Sequence, residues 1–528
     1  MDPHALNECH SADSPRCSCC GESEYEAGGI SRRGFLGGVG AATLAGVGWT
    51  ALDAGTGAAE PAPRTDLNKG APLRVKPVLA YSLARRVELT SWRPYGGLQA
   101  PEHVDQEVQR IGEELKKLAA SAEFGLELLP LARASSDAEV KTLAASDADV
   151  LLVYGAGGPQ QWFETLAASN KPNILFVRHR SGPVYLWYEI AHWRLLRKSE
   201  DLIAEPNMDT DDVVVDDYGD VLWRLRALYG MKNTMGTRVL AIGGMAAYSA
   251  PGQKLGPAYA QNLWKFGFKT VSHEELEKHL TKARADQQVL KEVERQTAEL
   301  LAQKGVTLHT DRKFVVNTFL ALKVVKDLMQ EAGASNLGVA QCMGGLIRVI
   351  QTPPCLILSL LNDEGYTAFC HTDMTHAVPG VLLRHISGKP SFVSNSHYPH
   401  HGLVTLAHCS SPRKMNGKDY EPTKIMTHFE SDFGAATKVE YTKGQVTTNL
   451  IPNLRCTKWF GFRGKIADTP FMDTCRSQID VQIDGDWRKL LRDVQGFHTV
   501  TCYGDYLREV GYVLKKVKME WENVSEIG

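Results

Sequence analysis

Residues 150–158 read Val150-Leu-Leu-Val-Tyr-Gly-Ala-Gly-Gly158. The first five are continuously apolar, as in a strand covered on both faces, and the glycines that follow mark a tight turn. Working outward, Leu73–Ala80 upstream is apolar and β-branched, and Ile174–Val177 downstream is a second buried-strand run. Between the outer strands, Glu102–Ala120 spaces its apolar residues at helical intervals among charges. This strand–helix alternation predicts a parallel sheet covered by helices. Gly155-Ala-Gly-Gly158 lacks the full dinucleotide-binding glycine pattern and has no matching acidic residue on a following strand. It reads as a strand-to-helix turn, and no nucleotide is expected there.

A second unit of the same kind starts near Arg238: Val239–Ile242 is a strand running into Gly243-Gly244. Helices are expected over His273–Gln303 and Asp311–Glu331, the second stopped by Gly333. Leu337–Cys342 and Cys355–Leu361 read as further central strands. From about Pro390 the composition shifts to Thr, Val, Gly and His in short alternating runs, such as Lys438–Tyr441 and Ile479–Ile483, with a last helix over Tyr503–Met519. The expected architecture is α/β: two Rossmann-like α/β domains over 73–235 and 236–388, then a β-rich domain over 389–528.

The N-terminus reads as an export leader. Ser31-Arg32-Arg33-Gly34-Phe35-Leu36 precedes a Gly/Ala-rich apolar run, Gly37–Ala51. Paired arginines before a short, weakly hydrophobic segment are the pattern of a twin-arginine signal. At about fifteen residues the run is shorter than the ~20 a membrane span needs. Residues 1–59 are therefore assigned to signal and leader and 60–72 to a linker, and the mature chain is expected in the periplasm or outside the cell without stable membrane insertion. A formal charge of −2 shows no basic excess, which counts against nucleic acid as a partner. Of eleven cysteines, four precede the twin arginines. The other seven, Cys342, Cys355, Cys370, Cys409, Cys456, Cys475 and Cys502, read as buried thiols, with one or two disulfides compatible with an oxidising compartment.

Histidines are unevenly spread. Of seventeen, eight fall at 371, 376, 385, 397, 400, 401, 408 and 428, close to Asp363, Glu364 and Asp373. Imidazoles beside carboxylates can hold a metal or move a proton near neutral pH. If Cys355–Leu361 is a parallel strand, Asn362-Asp363-Glu364-Gly365 is the polar turn at its carboxyl end, where open α/β sheets bind ligands. Thr367–Asp373 then returns His371 and Asp373 to the same place.

This order of motifs resembles the L-fucose and L-arabinose isomerase superfamily. The resemblance is carried by Gly338-Val-Ala-Gln-Cys342, Cys355 through Leu361-Asn-Asp363, Cys370-His-Thr-Asp373, Gly388-Lys-Pro390, His408-Cys409, Gly496-Phe-His498 and Tyr503-Gly-Asp505. It implies a fucose isomerase-like fold, a Mn²⁺-like divalent ion, a sugar substrate and a homo-oligomer. In the positions where that family carries a glutamate, an aspartate and a late histidine as metal and acid/base residues, this chain has His371, Asn395 and His498. Two carboxylates are thereby replaced, and an imidazole-rich set suits Zn²⁺, Fe²⁺ or Cu²⁺ better than Mn²⁺. The resemblance thus implies a metal held by His371, Asn395 and His498, with His371 as base and Glu364 or Asp373 as its partner. The expected function is an exported metal-dependent, carbohydrate-active protein related to aldose–ketose isomerases. A non-catalytic sugar-binding protein on the same fold, or a His-rich metalloenzyme of another reaction class, stand as alternatives.

Overall fold

In the computed structural model the first parallel sheet is built around the strand Leu73–Ala80, every inward position of which is apolar. It pairs in parallel with Val150–Gly155 on one side and with Leu126–Leu128 and Ala132–Ala134 on the other; Asn173–Val177 and Val213–Val215 continue the sheet. The structure describes residues 66–93, 96–185, 208–494 and 496–526. The twin-arginine leader and residues 60–65 of the linker lie outside these residues.

The second sheet is also parallel, in the order Thr367–Cys370, Asn336–Val339, Arg238–Ile242, Gly267–Val271. The expected helix over His273–Gln303 is two helices, His273–Ala285 and Gln287–Ala302. Asp286 separates them: its backbone is extended and its side chain accepts the Gln288 and Val289 N–H groups, so it caps the second helix as the first ends.

Cys355–Asp363 is a helix and not the expected strand. Its nine residues are rich in leucine and contain one β-branched residue, Ile357. That composition favours helix, and a short apolar run is ambiguous by periodicity alone. Pro353-Pro354 precedes the helix, and Gly365 at φ +90° ends it. The turn Asn362–Gly365 therefore leads into strand Thr367–Cys370, at the edge of the sheet opposite the carboxyl ends.

The C-terminal region is an antiparallel barrel. Phe392–Ser396, Leu403–His408, Ser477–Ile483, Lys458–Asp468, Val446–Pro452 and His498–Tyr503 pair in turn, and the last returns to the first. Closure leaves no exposed edge in the ring; Glu520–Asn523 adds in parallel to Lys458–Gly461. The chain is thus α/β with parallel sheets and a C-terminal antiparallel barrel. The helix Met374–Ser387, buried along nearly its whole length, lies between the second sheet and the barrel, against helix Tyr218–Thr234 and strand His498–Tyr503. Among the described residues no single helix is long and apolar enough to cross a membrane.

Candidate metal centre

The strand Thr367–Cys370 delivers its carboxyl end to the base of helix Met374–Ser387 through His371, Thr372 and Asp373. Asp373 is the N-cap: Oδ1 accepts the Thr375 N–H at 2.9 Å and the Thr375 hydroxyl at 2.8 Å. That leaves Oδ2 facing across the helix start, where it accepts the Tyr248 N–H at 3.3 Å. His376 stands three residues into the same turn, the spacing that puts two side chains on one helical face. Its Nδ1 lies 4.0 Å from Asp373 Oδ2.

The third member comes from the barrel. Strand His498–Tyr503 starts at the site, and in its pairing with Phe392–Ser396 residue His498 stands opposite Asn395. The His498 ring is 4.7 Å from that of His376. Asp373 and His376 are 0 % exposed and His498 is 6 % exposed. One ligand atom from each lies within 4.8 Å of the others. Phe497 and Tyr248, with ring centres 4.3 Å apart, wall one side against His498, and Phe369 meets the edge of His376 at 6.1 Å.

The hydrogen bonding of His376 tests whether a cation fits here. Nε2 is 3.3 Å from the Cys370 carbonyl oxygen, which can only accept, so Nε2 carries the hydrogen. Burial holds the imidazole below its ordinary pKa; Asp373 opposes that shift and the neighbouring His371 adds to it. With the hydrogen on Nε2, the neutral ring that burial favours has its lone pair on Nδ1. Nδ1 is buried and has no hydrogen-bond partner. A buried lone pair pointed at a carboxylate 4.0 Å away is unfavourable unless a cation stands between them. A ligating histidine with its other nitrogen tied to a backbone carbonyl is the arrangement that fixes ring and tautomer in metal sites. Asn395 Oδ1 is a second buried acceptor without a partner. Two imidazoles and one carboxylate, with further positions open, are the donor set of Zn²⁺ and of non-haem Fe²⁺. Metal–ligand bonds of ~2.1 Å place ligand atoms roughly 3–4 Å apart, so a small contraction of the triad suffices.

Of the residues proposed from sequence, Asp373, His498 and Asn395 meet at this site. His371 lies beside His376, half-buried, with its backbone at φ +62°. Glu364 does not reach the site. It sits past the end of helix Cys355–Asp363, before strand Thr367–Cys370, and its exposed carboxylate pairs with Lys326. The four-residue strand alone sets it ~13 Å from the carboxyl end. Asp363, next to it, is spent on structure: its buried carboxylate accepts the N–H groups of Arg413 and Lys414 and the Arg413 side chain. In the sequence His376 is one of eight clustered histidines. The signal that singles it out is the Asp-x-x-His spacing at a helix start. Four of the others lie elsewhere: His408 and His428 bond Ser410 and Ser431, and His400 and His401 are exposed on a turn.

No family model matches the chain, and no curated protein does. Among solved structures, it is similar to a carbohydrate transporter from Acidothermus cellulolyticus 11B in complex with myo-inositol, at 14 % identity over 61 % of this chain and 89 % of that one, with a TM-score of 0.15. It is also similar to a galactofuranose binding protein, at 13 % identity over 60 % and 90 % of the two chains, with a TM-score of 0.13.

Proposed function

We propose that this chain is an exported, divalent-metal-dependent protein that acts on a small sugar or closely related hydroxy-carbonyl compound, by chemistry related to aldose–ketose isomerisation. The observation that carries the reading is the partnerless Nδ1 of buried His376, aimed at Asp373 Oδ2 beside His498. The leader motif supports export, by the twin-arginine route to the periplasm or beyond. The motif order shared with fucose isomerase-like proteins supports the sugar ligand, the fold relationship and a homo-oligomer.

Asp373, His376 and His498 would hold the ion, with Asn395 as a further oxygen donor or as a hydrogen-bond partner to a substrate hydroxyl. A bound Zn²⁺, Fe²⁺ or Mn²⁺ supplies Lewis acidity to a carbonyl or hydroxyl oxygen. Both oxygens of Asp373 are already engaged, Oδ1 by Thr375 and Oδ2 by the Tyr248 N–H. The carboxylate therefore positions and does not move protons. That duty falls to His371, whose imidazole adjoins the triad on a strained left-handed backbone of the kind that collects at functional sites. Tyr248 and Phe497 present an aromatic wall that limits water at the centre.

Elemental analysis of the purified protein tests this. About one divalent ion per chain is expected, lost in Asp373→Asn, His376→Ala and His498→Ala but retained in His371→Ala. A sugar screen with the loaded protein then separates turnover, which His371→Ala abolishes, from binding alone. A native protein without a stoichiometric ion overturns the metal reading. The engagement of both Asp373 oxygens favours one alternative, sugar binding without turnover, and sugar affinity that His371→Ala leaves unchanged in a protein with no activity would establish it.

A further inference from the structure

Five of the thiols lie in one string through the interior. Cys370 bonds Cys342, Cys355 interacts with Cys342 and with Cys409, and Cys409 bonds Cys475. Its far end differs from the rest. Cys409 closes strand Leu403–His408 and Cys475 precedes strand Ser477–Ile483. These strands are paired with His408 opposite Ser477, so both cysteines lie just past the last register pair, diagonally across the ladder. Cys409 Sγ accepts the Arg476 N–H at 3.4 Å. Arg476 in turn holds the 427–433 loop, donating to the Thr427 carbonyl at 2.8 Å and lying over Phe429, the residue after His428. None of the seven cysteines among the described residues is in a disulfide.

We propose that Cys409 and Cys475 form a redox-active dithiol, with Cys409 as the nucleophile, Cys475 as the resolving thiol and hydrogen peroxide as the oxidant. This site is independent of the metal centre. The hydrogen bond from Cys475, then the charge of His428 and the N–H groups of Phe429 and Arg476, bring the Cys409 thiol down to about 6 against the burial that would raise it. Burial pushes Cys456 and Cys502 the other way, up to about 12. Because the thiolate is the reactive form, oxidation is directed to Cys409. Cys409 is 1 % and Cys475 6 % exposed, which excludes bulky disulfides and restricts the oxidant to one of near-water size.

The steps balance. The Cys409 thiolate attacks one peroxide oxygen, the O–O bond breaks, and the departing hydroxide takes a proton and leaves as water, giving a sulfenic acid. The Cys475 sulfur attacks the Cys409 sulfur, the S–O bond breaks, and hydroxide leaves as a second water with the Cys475 proton. Two thiols are oxidised, one peroxide is reduced, and a disulfide closes across the ends of two paired strands.

The full chain treated with stoichiometric hydrogen peroxide, alkylated under denaturing conditions and mapped without reduction reads this directly. The expected result is a Cys409–Cys475 cross-linked peptide that dithiothreitol removes. Cys475→Ser should stop at a dimedone-trappable sulfenic acid on Cys409, and Cys409→Ser should leave Cys475 fully alkylated. Cys409 alkylated to the same extent before and after peroxide overturns the proposal, as does linkage of Cys409 to Cys355. The wild-type map needs no variant to fold; circular dichroism confirms that each serine variant does.

Discussion

Asp216 shows how much a single half-buried side chain can do. Its backbone is at φ +60°, a conformation that Asp tolerates better than most residues. The turn places its carboxylate under the His179, Arg180 and Ser181 N–H groups at 2.7–3.1 Å, and the Ser181 hydroxyl adds a fourth donor at 2.6 Å. Burial would raise its pKa, but the Ser181 hydroxyl and the three N–H groups outweigh it and hold the carboxylate well below the usual range. A carboxylate whose folded pKa is depressed adds stability above its unfolded value near 4 and loses it as pH falls through the folded one. Wild-type stability should therefore drop as pH falls below about 4. Asp216→Asn should be less stable at neutral pH and show a smaller acid-induced drop, read as Tm against pH. Equal acid slopes in both proteins would remove Asp216 from the account. The same logic, donors converging on one group, marks His376 by contrast: one nitrogen is satisfied and the other is left facing a carboxylate. Asp373 and His498 were legible from motif order. His376 was not, because one histidine among many looks alike until a helix start is known to lie at Asp373.

Helix Met374–Ser387 is the element on which sheet, barrel and site converge. It carries Pro379 in its interior and closes at Gly388, φ +65°. It packs so closely on helix Tyr218–Thr234 that a Cβ on Gly230 would lie 2.3 Å from Ile386 Cγ1 and 3.4 Å from the Ile386 backbone N. Gly230→Ala gains helix propensity of up to ~1 kcal/mol, but overpacking a buried contact costs about 1–3 kcal/mol and should win. The expected result is a lower denaturation midpoint with an unchanged denaturant slope; a more stable Gly230→Ala would mean that Ile386 yields freely. Elements differ in how openly they declare themselves. Leu73–Ala80 and Arg238–Ile242 were plain in sequence because β-branched apolar runs bounded by turns have one reading. Cys355–Asp363 was not, because a short apolar run has no periodicity that separates strand from helix, and the leucine-rich composition, the prolines before it and the glycine after it have to be weighed together. That single element also carried Glu364 to the wrong end of the sheet.

At the scale of the whole molecule, the candidate centre has no complete home in any one layer. Asp373 and His376 follow the carboxyl end of a parallel strand, His498 and Asn395 belong to paired barrel strands, and the Tyr248 N–H comes from the turn after Arg238–Ile242. An ion gripped by donors from separate elements binds the folded chain and not the unfolded one. It therefore stabilises by mass action, by about 2.7 kcal/mol when its free concentration is a hundred times its Kd. A chelator should lower the Tm of the native protein by a few degrees, and restoring the ion that elemental analysis identifies should raise it again. His498→Ala should melt lower than native protein and ignore both treatments, because Asp373 and His376 without the second imidazole would no longer retain the ion. His371→Ala, outside the triad, should keep the chelator response even if turnover is lost. A native Tm indifferent to chelation and reloading would mean that the three side chains close on one another without an ion. The lone pair on His376 Nδ1 would then need a proton shared with Asp373, a state that acid should favour and a chelator should leave untouched.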